Sequence, residues 1–205
     1  MIRRIVLALA AVLPVAAASQ EAAPPMPENP RAPRFNEVER GLFTGLEVGY
    51  LRLFKTPPAG ANFANAGQSG GAADGLLVGA TVGYDVTPRI ALSLYALGGN
   101  ESASVSYGGF SVLSAGGDVR VSLFGLRDSS QVERLFFYVH GRAGYLLTYP
   151  SGLFGRNDTY LAGGPGLEYF THLRHFSIGL AADVAYAVSA KSAGIALTPT
   201  MRYTF

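Results

Sequence analysis

The sequence predicts an all-β chain, an eight-stranded antiparallel transmembrane β-barrel with up-and-down topology. Three observations predict it. Apolar residues recur at every second position through eight separate segments, the spacing of a strand with two unlike faces. Charged residues are only 15% and glycine is 26 of 205, against roughly 25% charge and about 7% glycine in average soluble domains. No run of about 20 apolar residues follows the N-terminus, so the chain lacks the helices that cross a bilayer. A closed sheet is the other way to pair every backbone group in lipid.

The chain divides into three parts. Residues 1–19 carry a basic start (Arg3, Arg4), an apolar run from Ile5 to Ala18, and small residues Ala16-Ala17-Ala18-Ser19. This is the layout of a cleaved export signal, with cleavage expected after Ala18. The run contains Pro14 and falls short of the roughly 17–25 residues a membrane anchor needs. Residues 20–40 hold five prolines (Pro24, Pro25, Pro27, Pro30, Pro33) and no apolar face, so an extended periplasmic tether is expected. Residues 41–205 form the barrel. The formal charge of +2 comes from Arg3 and Arg4, and their removal leaves 14 basic against 14 acidic groups. That balance excludes a nucleic-acid surface. With no cysteine there is no disulfide framework and no thiolate metal site, and no cofactor is implied.

The strands follow in order. Leu46, Val48 and Tyr50 oppose Gly45, Glu47 and Gly49 in the first segment. Segment 76–87 sets Val78, Ala80, Val82, Tyr84 and Val86 against Gly79, Thr81, Gly83 and Asp85. Segment 89–98 sets Ile90, Leu92 and Leu94 against Ala91, Ser93 and Tyr95, and 111–124 sets Val119, Val121 and Leu123 against Asp118, Arg120 and Ser122. In 135–149, Phe137, Val139, Ala143, Tyr145 and Leu147 oppose His140, Arg142 and Gly144. In 159–171, Leu161, Leu167 and Tyr169 oppose Gly164, Gly166 and Glu168. Segment 176–188 opposes Phe176, Ile178, Leu180, Val184 and Tyr186 to Ser177, Gly179 and Asp183. The last, 194–205, opposes Ile195, Leu197, Met201, Tyr203 and Phe205 to Thr198, Thr200, Arg202 and Thr204. Each segment is about as long as a tilted membrane strand, and an even number can close.

A soluble sandwich also alternates, but its polar face meets water and carries many charges. Here the polar face is mostly Gly, Ser, Ala and single charges, which suits the narrow inside of a barrel. Aromatics at segment ends (Tyr50, Phe54, Tyr84, Phe136, Tyr149, Tyr169, Phe170, Tyr203) are expected to form interface girdles. Parity turns Glu47, Asp85, Asp118, Arg120, His140, Arg142, Glu168, Asp183 and Arg202 inward. In so narrow a space these groups must pair, so an internal polar network is expected. Asp85, near a strand end, is instead expected to be solvated. The sharper alternative is a proton or ion path along the axis, but eight strands leave little room for a pore.

With the tether in the periplasm, the first strand runs outward. External links then fall at 55–75, 99–110, 150–158 and 189–193, and periplasmic turns at 86–89, 125–134 and 171–175. The 125–134 turn reads as long for its side, and little beyond the first loop is expected to be exposed.

Phe205 ends the sequence with Tyr203, Met201 and Leu197 at alternate positions before it. This resembles the terminal-strand signature of bacterial outer-membrane barrels, which implies recognition by the barrel-assembly machinery. From about Gly41 onward the chain resembles the small OmpA/OmpX-type barrels, implying a place in the cell outer membrane among its lipids and no particular task. Residues Phe35-Asn36-Glu37-Val38-Glu39-Arg40-Gly41 after the tether are similar to small outer-membrane proteins of the myxobacterial adventurous gliding-motility machinery. That resemblance implies a scaffold in a trans-envelope complex, with loop 55–75 and tether 20–40 as partner surfaces.

His175 and Ser177 form a His-x-Ser pair that resembles part of the lipid A 3-O-deacylase site, where the His activates the Ser for attack on an ester. The pair lies at the inner end of its strand, parity turns Ser177 away from lipid, and no orienting acid adjoins it in sequence. Lipid A palmitoyl transfer has no stronger support. A non-catalytic anchor, scaffold or surface-interaction barrel is therefore the expectation, with a lipid A-modifying enzyme as the alternative and a narrow pore behind both.

Overall fold

In the computed structural model, residues 38–56, 71–103, 109–129, 131–149, 158–173 and 175–205 are described. The export signal, the tether up to residue 37, and 57–70 of the first loop lie outside them. Eight strands follow one another: β1 (Leu42–Leu53), β2 (Ala73–Thr87), β3 (Ile90–Ala103), β4 (Gly109–Arg127), β5 (Glu133–Tyr149), β6 (Asp158–Phe170), β7 (Phe176–Ala187) and β8 (Ser192–Thr204). Each pairs antiparallel with the next, and β8 returns to β1 from Phe43↔Thr204 to Leu53↔Gly194, closing the barrel. Closure leaves no sheet edge along the wall, which is what lipid requires. The end that carries Leu42 and Thr204 is termed proximal, the other distal.

Alternation separates two surfaces. Outward positions are apolar and exposed, from Leu46 and Val48 through Leu94 to Val184. Inward positions divide by height. The proximal half holds charged and aromatic groups. The distal half is packed with Leu51, Leu53, Leu77, Leu97, Val112, Leu146 and Tyr160. This apolar layer departs from the expected lumen of small and charged residues, because leucines inside a strand whose other face is also apolar leave no alternation to read.

Two expected girdle aromatics prove to be lumenal. Tyr50, Phe54, Tyr84, Tyr149 and Tyr169 face outward, but Phe136 and Phe170 are buried and meet edge to face, with centroids 5.5 Å apart. In the doublets Phe136-Phe137 and Tyr169-Phe170 one ring of each must point inward, and composition does not say which.

The 125–134 link is not a long turn. β4 runs past its last β3 partner, Val121↔Ile90, and continues against β5 to Arg127↔Glu133, so that only 128–132 connect. Ion pairs Arg134–Asp128 (2.6 Å) and Arg127–Glu133 (3.5 Å) brace this hairpin. A bulge between Ser122 and Phe124 resets the alternation, so Leu123 and Phe124 both face outward. Phe124 stacks on Phe137 at 4.5 Å. Likewise β3 and β4 take up most of the expected 99–110 link, extending to Ala103 and from Gly109.

The β7–β8 link is tight, 188–191, and is held by Asp158 at the start of β6. Its buried carboxylate accepts from Ser189 N (2.7 Å), Ala190 N (2.9 Å) and Thr159 N (2.6 Å). Asp158→Ala strands these amides and is expected to cost about 1–3 kcal/mol. Thermal melts followed by circular dichroism in micelles check this; an unchanged midpoint would mean that the turn is held by its own backbone.

Candidate functional site

The strand period places Glu47 (β1), Asp118 and Arg120 (β4), His140 and Arg142 (β5), Glu168 (β6), Asp183 (β7) and Arg202 (β8) on the lumenal face, with Asp85 from β2. Glycines make the space. A Cβ on Gly144 would meet the Tyr95 hydroxyl, and one on Gly166 would strike the Tyr138 ring.

Two linked clusters result. In the first, Arg142 donates through Nη1 to Glu47 Oε2 at 3.0 Å and through Nε to Asp118 Oδ2 at 3.1 Å. His140 lies between two acids, with Nδ1 2.9 Å from Asp118 Oδ2 and Nε2 2.6 Å from Asp183 Oδ1. Carboxylate oxygens only accept, so satisfying both contacts takes a donor on each ring nitrogen, which the imidazolium supplies. In the second cluster Arg120 Nη1 meets Glu168 Oε2 at 3.0 Å, and Ser177 Oγ donates to Glu168 Oε1 at 2.7 Å. Arg202 pairs with Asp85 and reaches toward Glu168 Oε1 at 3.7 Å. Asp85 is therefore buried and paired with a cation from β8, not solvated; the two are 117 residues apart in sequence.

The arginines are also stacked. Arg202 lies 3.7 Å from the Phe43 ring centroid, Arg142 5.0 Å from Tyr95 and Arg120 5.1 Å from Tyr138. Aromatic faces stabilise a desolvated guanidinium that carboxylates alone do not enclose. With His140 protonated, four lumenal cations meet the five acids, and Arg40 enters from the proximal mouth, 5.1 Å from Phe136 and 6.0 Å from Phe170. Near balance is what a poorly hydrated interior demands.

Between the clusters is a cavity of about 60 Å³, bordered by Glu47, Arg120, His140, Arg142, Glu168 and Arg202. It has room for a few water-sized guests. The distal apolar layer encloses about 30 Å³. The charged half therefore meets an apolar layer on its distal side.

The expected enzyme pair is divided between two environments. Ser177 faces the lumen on Glu168, whereas His175 Nδ1 lies 2.5 Å from Glu39 Oε2 and 2.9 Å from the Thr204 carbonyl, stacked on Tyr203. An acid thus adjoins each member, drawn from β6 and from the segment before β1, which sequence proximity could not show. At the C-terminus, Met201 and Phe205 face outward, and Tyr203 packs against Phe176 and Phe205. Sequence reading missed Glu39, Arg40, Ser177 as a Glu168 donor, and the aromatic plates, whose partners come from distant strands.

No family model matches the sequence, and a comparison with curated proteins returns no match. Solved structures do match. The crystal structure of Neisserial surface protein A superposes with a TM-score of 0.58 at 12% identity, covering 80% of this chain and 97% of that one. The solid-state NMR structure of the outer-membrane protein AlkL in lipid bilayers superposes with a TM-score of 0.52 at 14% identity, covering 88% and 97%. The chain has the fold of the small eight-stranded outer-membrane barrels.

Proposed function

We propose that the protein is a non-catalytic resident of the outer membrane that anchors or scaffolds partners at the cell envelope. The filled lumen carries this reading: charge pairs occupy the proximal half and an apolar layer the distal half, with cavities of about 60 and 30 Å³ between side chains. Such a tube is built for stability rather than passage. The proximal end, which bears the tether, faces the periplasm, and the apolar wall faces outer-membrane lipid. Met201, Tyr203 and Phe205 serve as the signal for the barrel-assembly machinery, and partners engage loop 55–75 and tether 20–40. A place in a gliding-motility complex is the finer form of this proposal, supported by the resemblance at 35–41 alone.

In planar bilayers the purified protein is expected to give no discrete conductance steps, and regular steps would overturn the filled-lumen reading. The wild-type protein and His175→Ala should leave the same lipid A profile by mass spectrometry; loss of a deacylated species in the variant would favour the enzyme. Deleting 57–73 should preserve heat-modifiable folding while reducing what co-purifies from cross-linked envelopes. A deletion that blocks insertion contradicts that division of labour.

A further inference from the structure

Three basic residues gather at the distal end of the β1–β8 seam: Arg52, Lys55 and Lys191, which include both lysines of the chain. Hydrogen bonds fix their proximity. Phe54 N donates to Ala193 O at 2.8 Å and Ser192 Oγ donates to Lys55 O, so Lys55 lies beside the residue that follows Lys191. Lys191 closes the β7–β8 turn in a left-handed conformation (φ 49°), and Arg52 is across the ladder from Ile195. All three are exposed, and none has an ion-pair partner among the described residues. The acid facing Arg52 across β1–β2, Asp74, accepts the Tyr50 hydroxyl at 2.6 Å. The proximal hairpin differs, since Arg127 and Arg134 are each paired with an acid.

Height matters as much as charge. Arg52 lies about ten residues along β1 from Leu42, or about 25 Å up the barrel at the usual rise and tilt. That matches the apolar band of about 25 Å on such barrels. Beside and below Arg52 the wall is apolar and exposed: Ile195 across the ladder from it, then Tyr50, Leu197 and Val48. A cationic rim above a lipid-facing wall complements an amphiphile whose acyl chains lie on the wall and whose anionic group reaches the rim.

We propose that Arg52, Lys55 and Lys191 bind the headgroup phosphate of a phosphorylated glycolipid in the outer leaflet. This rests on the outer-membrane reading, which sets the distal end in that leaflet. The test is native mass spectrometry of the full barrel released from micelles containing diphosphorylated lipid A, dephosphorylated lipid A, or neither. The phosphorylated lipid should be retained one to one, and Lys55→Gln/Lys191→Gln should weaken retention about thirtyfold, toward the dephosphorylated level. Arg127→Gln, at the opposite end, should change nothing, and millimolar inorganic phosphate should not displace the lipid. Equal retention of both lipids, or an unaffected double variant that shows the folded heat-modifiable band, overturns the site. Displacement by inorganic phosphate would make it a free-anion site and overturn the lipid assignment. A barrel that stays folded without detergent or lipid fails the membrane reading itself, a distinguishable result.

Discussion

An Arg142→Leu barrel is expected to lose about 3–5 kcal/mol of stability, the cost of removing one partner from a buried ion pair. Arg142 supplies the hydrogen bonds of Glu47 at 3.0 and 3.4 Å and shares Asp118 with His140. Without it Glu47 is a buried anion with no ion-pair partner among the described residues, while Asp118 keeps the imidazole. The chain has no Trp, so urea unfolding is best followed by circular dichroism and heat-modifiable gel mobility. The double variant Glu47→Leu/Arg142→Leu removes both charges and should recover most of the loss. A single-variant cost below about 1 kcal/mol would show that water reaches the lumen and screens it.

Val48→Arg is expected to cost about 2–4 kcal/mol in lipid vesicles, because Val48 faces outward near mid-height of β1. Phe54→Arg, just past the distal end of β1 and beyond the apolar band, should cost about 0–1 kcal/mol. The difference between the two positions is the measurement that counts. If both cost the same, the exposed apolar wall is not in contact with a bilayer core. This tests the outside of the barrel as Arg142 tests the inside.

Strand number, order and the orientation of most side chains were legible because a period of two is local: each residue's face follows from its neighbour's. Glu47, His140 and Arg142 could be turned inward on that ground alone. What escaped was information held between strands. Asp85 looked solvated because its cation, Arg202, comes from the far end of the chain. Phe136 and Phe170 looked like girdle rings because adjacent aromatics hide parity. The Ser122/Phe124 bulge breaks the period, and no residue type announces it. The distal layer of Leu51, Leu77, Leu97 and Leu146 was invisible for another reason, since apolar residues on both faces of a strand carry no alternation.

The clip formed by Glu39 on His175 and Arg40 over Phe136 and Phe170 has a mechanical consequence. A pull applied at Val38 would reach β5, β6 and the β6–β7 turn before it reached the first rungs between β1 and β8. Those rungs, pulled alone, would open one at a time like a zip; the clip spreads the load across the opposite wall. An envelope anchor of the kind proposed above would gain from this sharing of force.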